Sequence, residues 1–482
     1  MKLLSLLQSL RPEEYRSVEK FLQSPYFKDS DQYLQFFRYL SKRHPAFDLD
    51  NAGLREAYRR CFQLKTPTDA QWHNLTSGMS KQLEQFLVTQ MVLDPDPAPG
   101  NTLFDHLLVQ ALGMRNQGAY FRREADTLIG EISARTATVA DHFFAVQQLH
   151  RLVYFNPDTP KTGNYSTYLE QAATFLDLYF CIAKLRDAAE MKAREHILQV
   201  RYDIPLLDAV REHSAILNAN LSFPLLGMYR MVIGLYESGV DEPGFRALLA
   251  MYDAQFDTLS AEDRVLLIRH LINCGITLNS RDGAVETELF SLYQRSIEAG
   301  SLLDGGRITH SSFINIANLA GRCGAFDWAM GFISDFSQYL EPSRKEPAVQ
   351  LAQAGVFYNR GMLDEAHECL LLQDIYLVPA FDLLSRSLLI KIAFDRFIRH
   401  GVDYEFLHNQ MTAFEKSISN KDLTQEKKAA QLNWIKFLRK MCRARFELVS
   451  VPDARKDLLR TKLKALQPVV YKQWLEGKIA TL

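Results

Sequence analysis

The chain has 482 residues, 47% of them hydrophobic and 23% charged, with 30 Phe and 20 Tyr. That is enough apolar side chain for a sizeable core, and it excludes disorder as the main state. The formal net charge of −1 excludes whole-molecule charge as a reason to bind nucleic acid or an anionic membrane.

Helical spacing begins at the first residues. Leu3, Leu6, Leu7 and Leu10 fall on one helical face that ends at Pro12. The apolar run stops at Gln8 and Arg11 follows, so this stretch reads as an amphipathic helix rather than a signal peptide. Apolar residues go on recurring at three and four, as in Leu266, Leu267, His270, Leu271 and Cys274, or Leu432, Ile435, Leu438 and Cys442. No Asn-Gly or Asp-Gly pair sits between alternating β-branched runs, so strand signatures are missing. Pro25, Pro45, Pro67, Pro205, Pro224, Pro342 and Pro379 punctuate periodic segments where helices should stop or start. An all-α protein is the expectation.

Residues 1–92 read as an N-terminal helical module. The segment 93–100, with Pro95, Pro97 and Pro99 alternating, reads as a linker, because each proline disfavours helix in the residue before it. Asn156 to Asn164 reads as a long loop between helices. No stretch approaches the roughly 18 apolar residues of a membrane span. Even Leu383 to Phe394 is interrupted by Ser385, Arg386, Ser387 and Lys391. The six cysteines form no CxxC pair and read as reduced, mostly buried thiols of a cytoplasmic protein.

Residues 101–420 read as an array of antiparallel helix pairs, clearest over 308–410. Ala317, Gly324, Phe326, Ala329 and Ile333 are echoed by Ala354, Gly361, Leu363, Ala366 and Leu370, and more weakly by Gly401, Tyr404 and Leu407. Gly ends a first helix, an apolar residue anchors a second, and Ala permits close helix approach. The pattern resembles degenerate tetratricopeptide-type repeats, most closely at Asn359-Arg360-Gly361-Met362-Leu363-Asp364-Glu365-Ala366. The chain also resembles a helical-repeat family common in Bacteroidetes. Lys20 to Phe27, Lys184 to Glu190 and Gly324 to Ala329 carry that likeness. These resemblances imply a superhelical, tetratricopeptide-like solenoid of helix pairs, and they carry no activity.

Residues 421–482 hold fifteen basic and six acidic residues and read as basic capping helices. Lys436, Arg439, Lys440 and Arg443 form a stripe, with Trp434, Leu438, Met441 and Cys442 mostly on the other side. Three readings compete for the stripe: a solvated face, a docking face for an acidic surface, or a contact with nucleic acid or anionic lipid.

Motifs for chemistry are lacking. There is no phosphate-binding glycine loop, no Gly-x-Ser-x-Gly elbow and no His/Cys set with zinc spacing. Glu365, His367, Glu368 and Cys369 cannot converge from one helix, because His367 points about 160° away from Cys369. No cofactor and no metal are expected. The expected function is a non-catalytic protein–protein interaction scaffold, its groove lined by Asn318, Arg322, Tyr358 and Asn359 and taking a protein or peptide partner. Two alternatives stay open. One is an RNA-binding repeat array, suggested by Thr309, Phe313 and Asn315 within Ile308 to Ser343. The other is an enzyme whose site is assembled from distant helices, which a deep pocket lined by two or more convergent ionisable side chains would favour.

Overall fold

The periodicity read from the sequence is realised as helices in the structure, a computed structural model. It describes residues 2–27, 30–42, 49–63, 68–93, 103–115, 118–134, 140–159, 166–198, 200–221, 223–281, 284–303, 305–371, 379–401, 404–421, 424–447 and 452–482. The described residues are all-α, with 23 helices, 84% helix and no strand. The chain divides into two compact units, Met1–Arg135 with Asp141–Asp177, and Thr136–Ala140 with Leu178–Leu482. Of the expected linker only Leu93 is described; residues 94–100 lie outside the described residues. Of the expected loop, residues 156–159 form a turn and 160–164 lie outside.

The first unit comprises α1 (Lys2–Ser9), α2 (Tyr15–Gln23), α3 (Asp31–Ser41), α4 (Asn51–Cys61), α5 (Asp69–Val92), α6 (Leu103–Gly113), α7 (Gly118–Ser133), α8 (Ala140–Phe155) and the first part of α9 (Ser166–Leu198). The predicted first helix forms and buries Leu3 and Leu7. It packs against α5, whose start is fixed by a capping box in which Thr68 Oγ1 accepts from Gln71 N at 3.2 Å and Thr68 N donates to Gln71 Oε1 at 3.1 Å. Two cores result, one from Leu3 to Phe86 and one from Val109 to Val153.

The second unit continues α9 and adds α10 (Leu207–Leu221), α11 (Pro224–Ser238), α12 (Glu242–Gln255), α13 (Ala261–Arg281), α14 (Glu286–Glu298), α15 (His310–Arg322), α16 (Phe326–Phe336), α17 (Pro342–Arg360) and α18 (Leu363–Leu370). It ends with α19 (Pro379–His400), α20 (Tyr404–Asn420), α21 (Gln425–Glu447), α22 (Asp453–Ala465) and α23 (Lys472–Thr481). Gly324 (φ +76°) and Gly361 (φ +86°) take the left-handed conformation that stops α15 and α17. The freed carbonyls of Ala320 and Phe357 then accept from Ala325 N at 2.9 Å and Met362 N at 3.0 Å. These short turns send the chain back on itself, so α15 packs on α16 and α17, and α17 on α18. Ala329 and Ala366 are fully buried in this core. A separate core follows, in which Trp434, Leu438 and Cys442 of α21 are buried with Leu407 of α20 and Leu475 of α23.

Candidate functional site

Within the second unit α13, α14, α15, α17, α19 and residues 467–474 surround a cavity of about 1060 Å³. Asn318 and Arg322 lie one turn apart on α15, and Tyr358 and Asn359 are successive near the end of α17. All four line this cavity.

Two glycines set the approach of α15 and α17. A Cβ on Gly355 would lie 1.6 Å from Asn318 Oδ1, and one on Gly321 would lie 3.0 Å from Asn359 Nδ2. Their absence lets the asparagines lie across the opposing backbone, where Asn359 Nδ2 donates to the Asn318 carbonyl at 3.3 Å. Arg322 Nε donates to Glu286 Oε1 at 2.6 Å. Glu286 sits in the first turn of α14, where a negative charge is favoured by the helix dipole.

A polar chain closes the side formed by the last helix. Trp474 Nε1 donates to Tyr358 Oη at 2.7 Å, and Tyr358 Oη donates to Asp395 Oδ2 at 2.8 Å. Lys478 Nζ lies 2.6 Å from Asp395 Oδ1. Burial, reinforced by the Asp395 charge, pushes the Tyr358 phenol well above its ordinary range, so it stays a neutral donor. Half-buried Lys391 places Nζ 3.6 Å from the Tyr471 ring centroid and 5.4 Å from that of Trp474. Burial, then the Arg322 and Lys478 charges acting against Asp395, bring its ammonium down to about 7. Burial also raises the Tyr471 phenol, with the Ser387 hydroxyl opposing it.

The basic stripe is only partly in solvent. Lys436, Lys440 and Arg443 are exposed on α21. Arg439 departs from the solvated-face reading, because its guanidinium grips Glu415 of α20 at 3.0 and 2.8 Å and reaches Thr412 Oγ1 at 3.3 Å. α20 packs beside α21, and the planar fork of Arg matches a carboxylate placed there. Changing Lys436, Lys440 and Arg443 together to Gln should alter unfolding free energy by less than about 0.5 kcal/mol. Arg439→Gln should cost about 1 kcal/mol. Urea titrations of the two variants check the contrast, which equal effects would contradict.

Sequence reasoning missed Lys391, Asp395, Tyr471, Trp474 and Lys478. The one local trace was that Ser387 and Lys391 interrupt an otherwise apolar run four residues apart, putting both on one helix face.

Among the described residues, no group of three or more His, Cys, Asp or Glu side chains is placed to hold a metal ion. No helix among them is long and apolar enough to cross a membrane. The arrangement defines an all-helical protein with a cavity lined by amides and aromatic rings. Comparison with protein-family models, with curated proteins and with solved structures gives no match to this chain.

Proposed function

We propose that this protein is a non-catalytic, cytoplasmic interaction scaffold: a superhelical, tetratricopeptide-like array of helix pairs whose cavity receives a peptide segment of a protein partner. The observation that carries the reading is that Asn318, Arg322, Tyr358 and Asn359, chosen from repeat register, line one cavity with Asn279 and Asn315. A carboxamide offers one acceptor and two donors, which suits the alternating C=O and N–H of an extended backbone. Tyr293, Tyr471 and Trp474 add apolar surface with polar edges, a common composition for protein contacts.

An array of capped ten-residue peptides probed with the purified protein tests this. The double variant Asn318→Ala with Asn359→Ala should retain roughly tenfold less peptide through the loss of side-chain hydrogen bonds, with thermal melting as the folding control. Retention of no peptide, or equal retention by the folded double variant, would sink the reading. So would selective binding of RNA homopolymers in its place.

One observation favours the enzyme alternative. Lys391, brought to about 7, lies in the cavity with Arg322 and Glu286. A lysine in that range suits proton transfer or imine chemistry. Against it, Arg322 is paired with Glu286, Lys478 with Asp395, and Lys391 has an aromatic face rather than an acid–base partner.

A further inference from the structure

The cations around the cavity are not equally matched. Arg322 of α15 has Glu286 of α14 at 2.6 Å, and Lys478 of α23 has Asp395 of α19 at 2.6 Å. Lys391 lies among them on α19, and among the described residues no carboxylate comes within 4 Å of its ammonium. Asp395, one turn further along its own helix, is already taken up by Lys478 and Tyr358. Glu426 of α21 and Lys472 at the start of α23 also line the cavity, and neither is an ion-pair partner of Lys391. The Tyr471 and Trp474 rings face the amine, at 3.6 and 5.4 Å to their centroids. A half-buried ammonium with aromatic neighbours and, among the described residues, no carboxylate in ion-pair range is incompletely compensated, and it is open to an anion that arrives from outside.

Resting on the peptide reading, we propose that the cavity selects acidic peptide segments, one Asp or Glu carboxylate of the partner pairing with Lys391. The proton linkage follows from the surroundings. Burial disfavours the charged amine most, Arg322 and Lys478 add to it and Asp395 opposes them, so the free amine loses its proton near pH 7. An incoming carboxylate favours the ammonium. Binding above pH 7 therefore takes up a proton, and affinity falls as pH rises from 7 towards 9.

The test uses capped ten-residue peptides synthesised in matched pairs, Glu in one member and Gln at the same place in the other. The 482-residue protein should retain the Glu members roughly ten- to hundredfold better, the range of a charge-assisted hydrogen bond. Lys391→Met should abolish the preference. Lys391→Arg should keep it while binding without proton uptake, as read by calorimetry of the best pair in two buffers of different ionisation enthalpy. Equal retention of Glu and Gln members by the wild type, or an unchanged preference in folded Lys391→Met, overturns the acidic selectivity and leaves the peptide reading standing. Retention of neither member of any pair overturns the peptide reading and this inference with it.

Discussion

Asp263→Ala is expected to lower the unfolding free energy by about 3–5 kcal/mol, the usual cost of removing one partner from a buried charged network. Asp263 is fully buried at the start of α13. Its Oδ1 accepts from Arg186 Nη2 of α9 at 2.9 Å and from Tyr229 Oη of α11 at 2.6 Å. Its Oδ2 accepts from Ser260 Oγ at 2.6 Å, while Ser260 Oγ accepts from Asp263 N at 3.0 Å. The Ser260 hydroxyl thus caps α13, and one carboxylate holds that hydroxyl and ties α9 and α11 to the same helix start. Burial, then the Asp263 charge, raises the Tyr229 phenol well above its ordinary range, so Tyr229 remains a donor at every physiological pH. Without Asp263 the one carboxylate left within 4 Å of the half-buried Arg186 guanidinium, among the described residues, is the exposed Glu262 at 2.9 Å. Urea unfolding followed by circular dichroism measures the loss. Combining Asp263→Ala with Arg186→Met should restore part of it, because the second change removes the stranded charge. A loss below about 1 kcal/mol for Asp263→Ala would show that the network is not what joins these helices.

The second large effect is a loss of stability in mild acid traced to His270. This residue of α13 is buried, with its ring 5.9 Å from that of Tyr236 and Nδ1 3.4 Å from the phenol oxygen. Burial, assisted by the Arg269 charge, holds its imidazole down at about 4. An unfolded chain protonates histidine near pH 6.5, so between pH 6.5 and 4 the unfolded state gains a proton that the native state refuses. Stability must then fall as the pH falls through that window, by about 2–3 kcal/mol at pH 4.5. The expected result is a wild-type loss from pH 7.5 to 4.5 that exceeds that of His270→Gln by this amount, read from urea midpoints at each pH. Equal losses in the two proteins would mean that His270 takes up its proton inside the fold.

Much of the helical framework was legible because it depends on neighbours within one or two turns. The three-and-four spacing of Leu3, Leu6, Leu7 and Leu10 yields α1, with Leu3 and Leu7 buried as that face requires. Gly324 and Gly361 stop their helices at left-handed positions that a side chain would resist. Ala329 and Ala366 are buried because their small side chains let helices approach. The same local arithmetic placed Asn318, Arg322, Tyr358 and Asn359 on faces that meet one cavity.

The partners of those residues lay beyond such reasoning. Trp474 donates to Tyr358 across 116 residues, and Lys478 reaches Asp395 across 83. Arg439 fits the stripe by spacing, yet pairs with Glu415 because of how α20 lies beside α21. Lys391 carries nothing in its neighbourhood of sequence to show that Tyr471 would lie 3.6 Å away. Helix formation satisfies backbone hydrogen bonds four residues apart, so periodicity and capping residues suffice to read it. Which charges find a partner depends on the rotation of each helix about its axis and on the order in which distant helices pack. Burial then decides the rest, since it brings Lys391 to about 7 and His270 to about 4, shifts that no local pattern encodes.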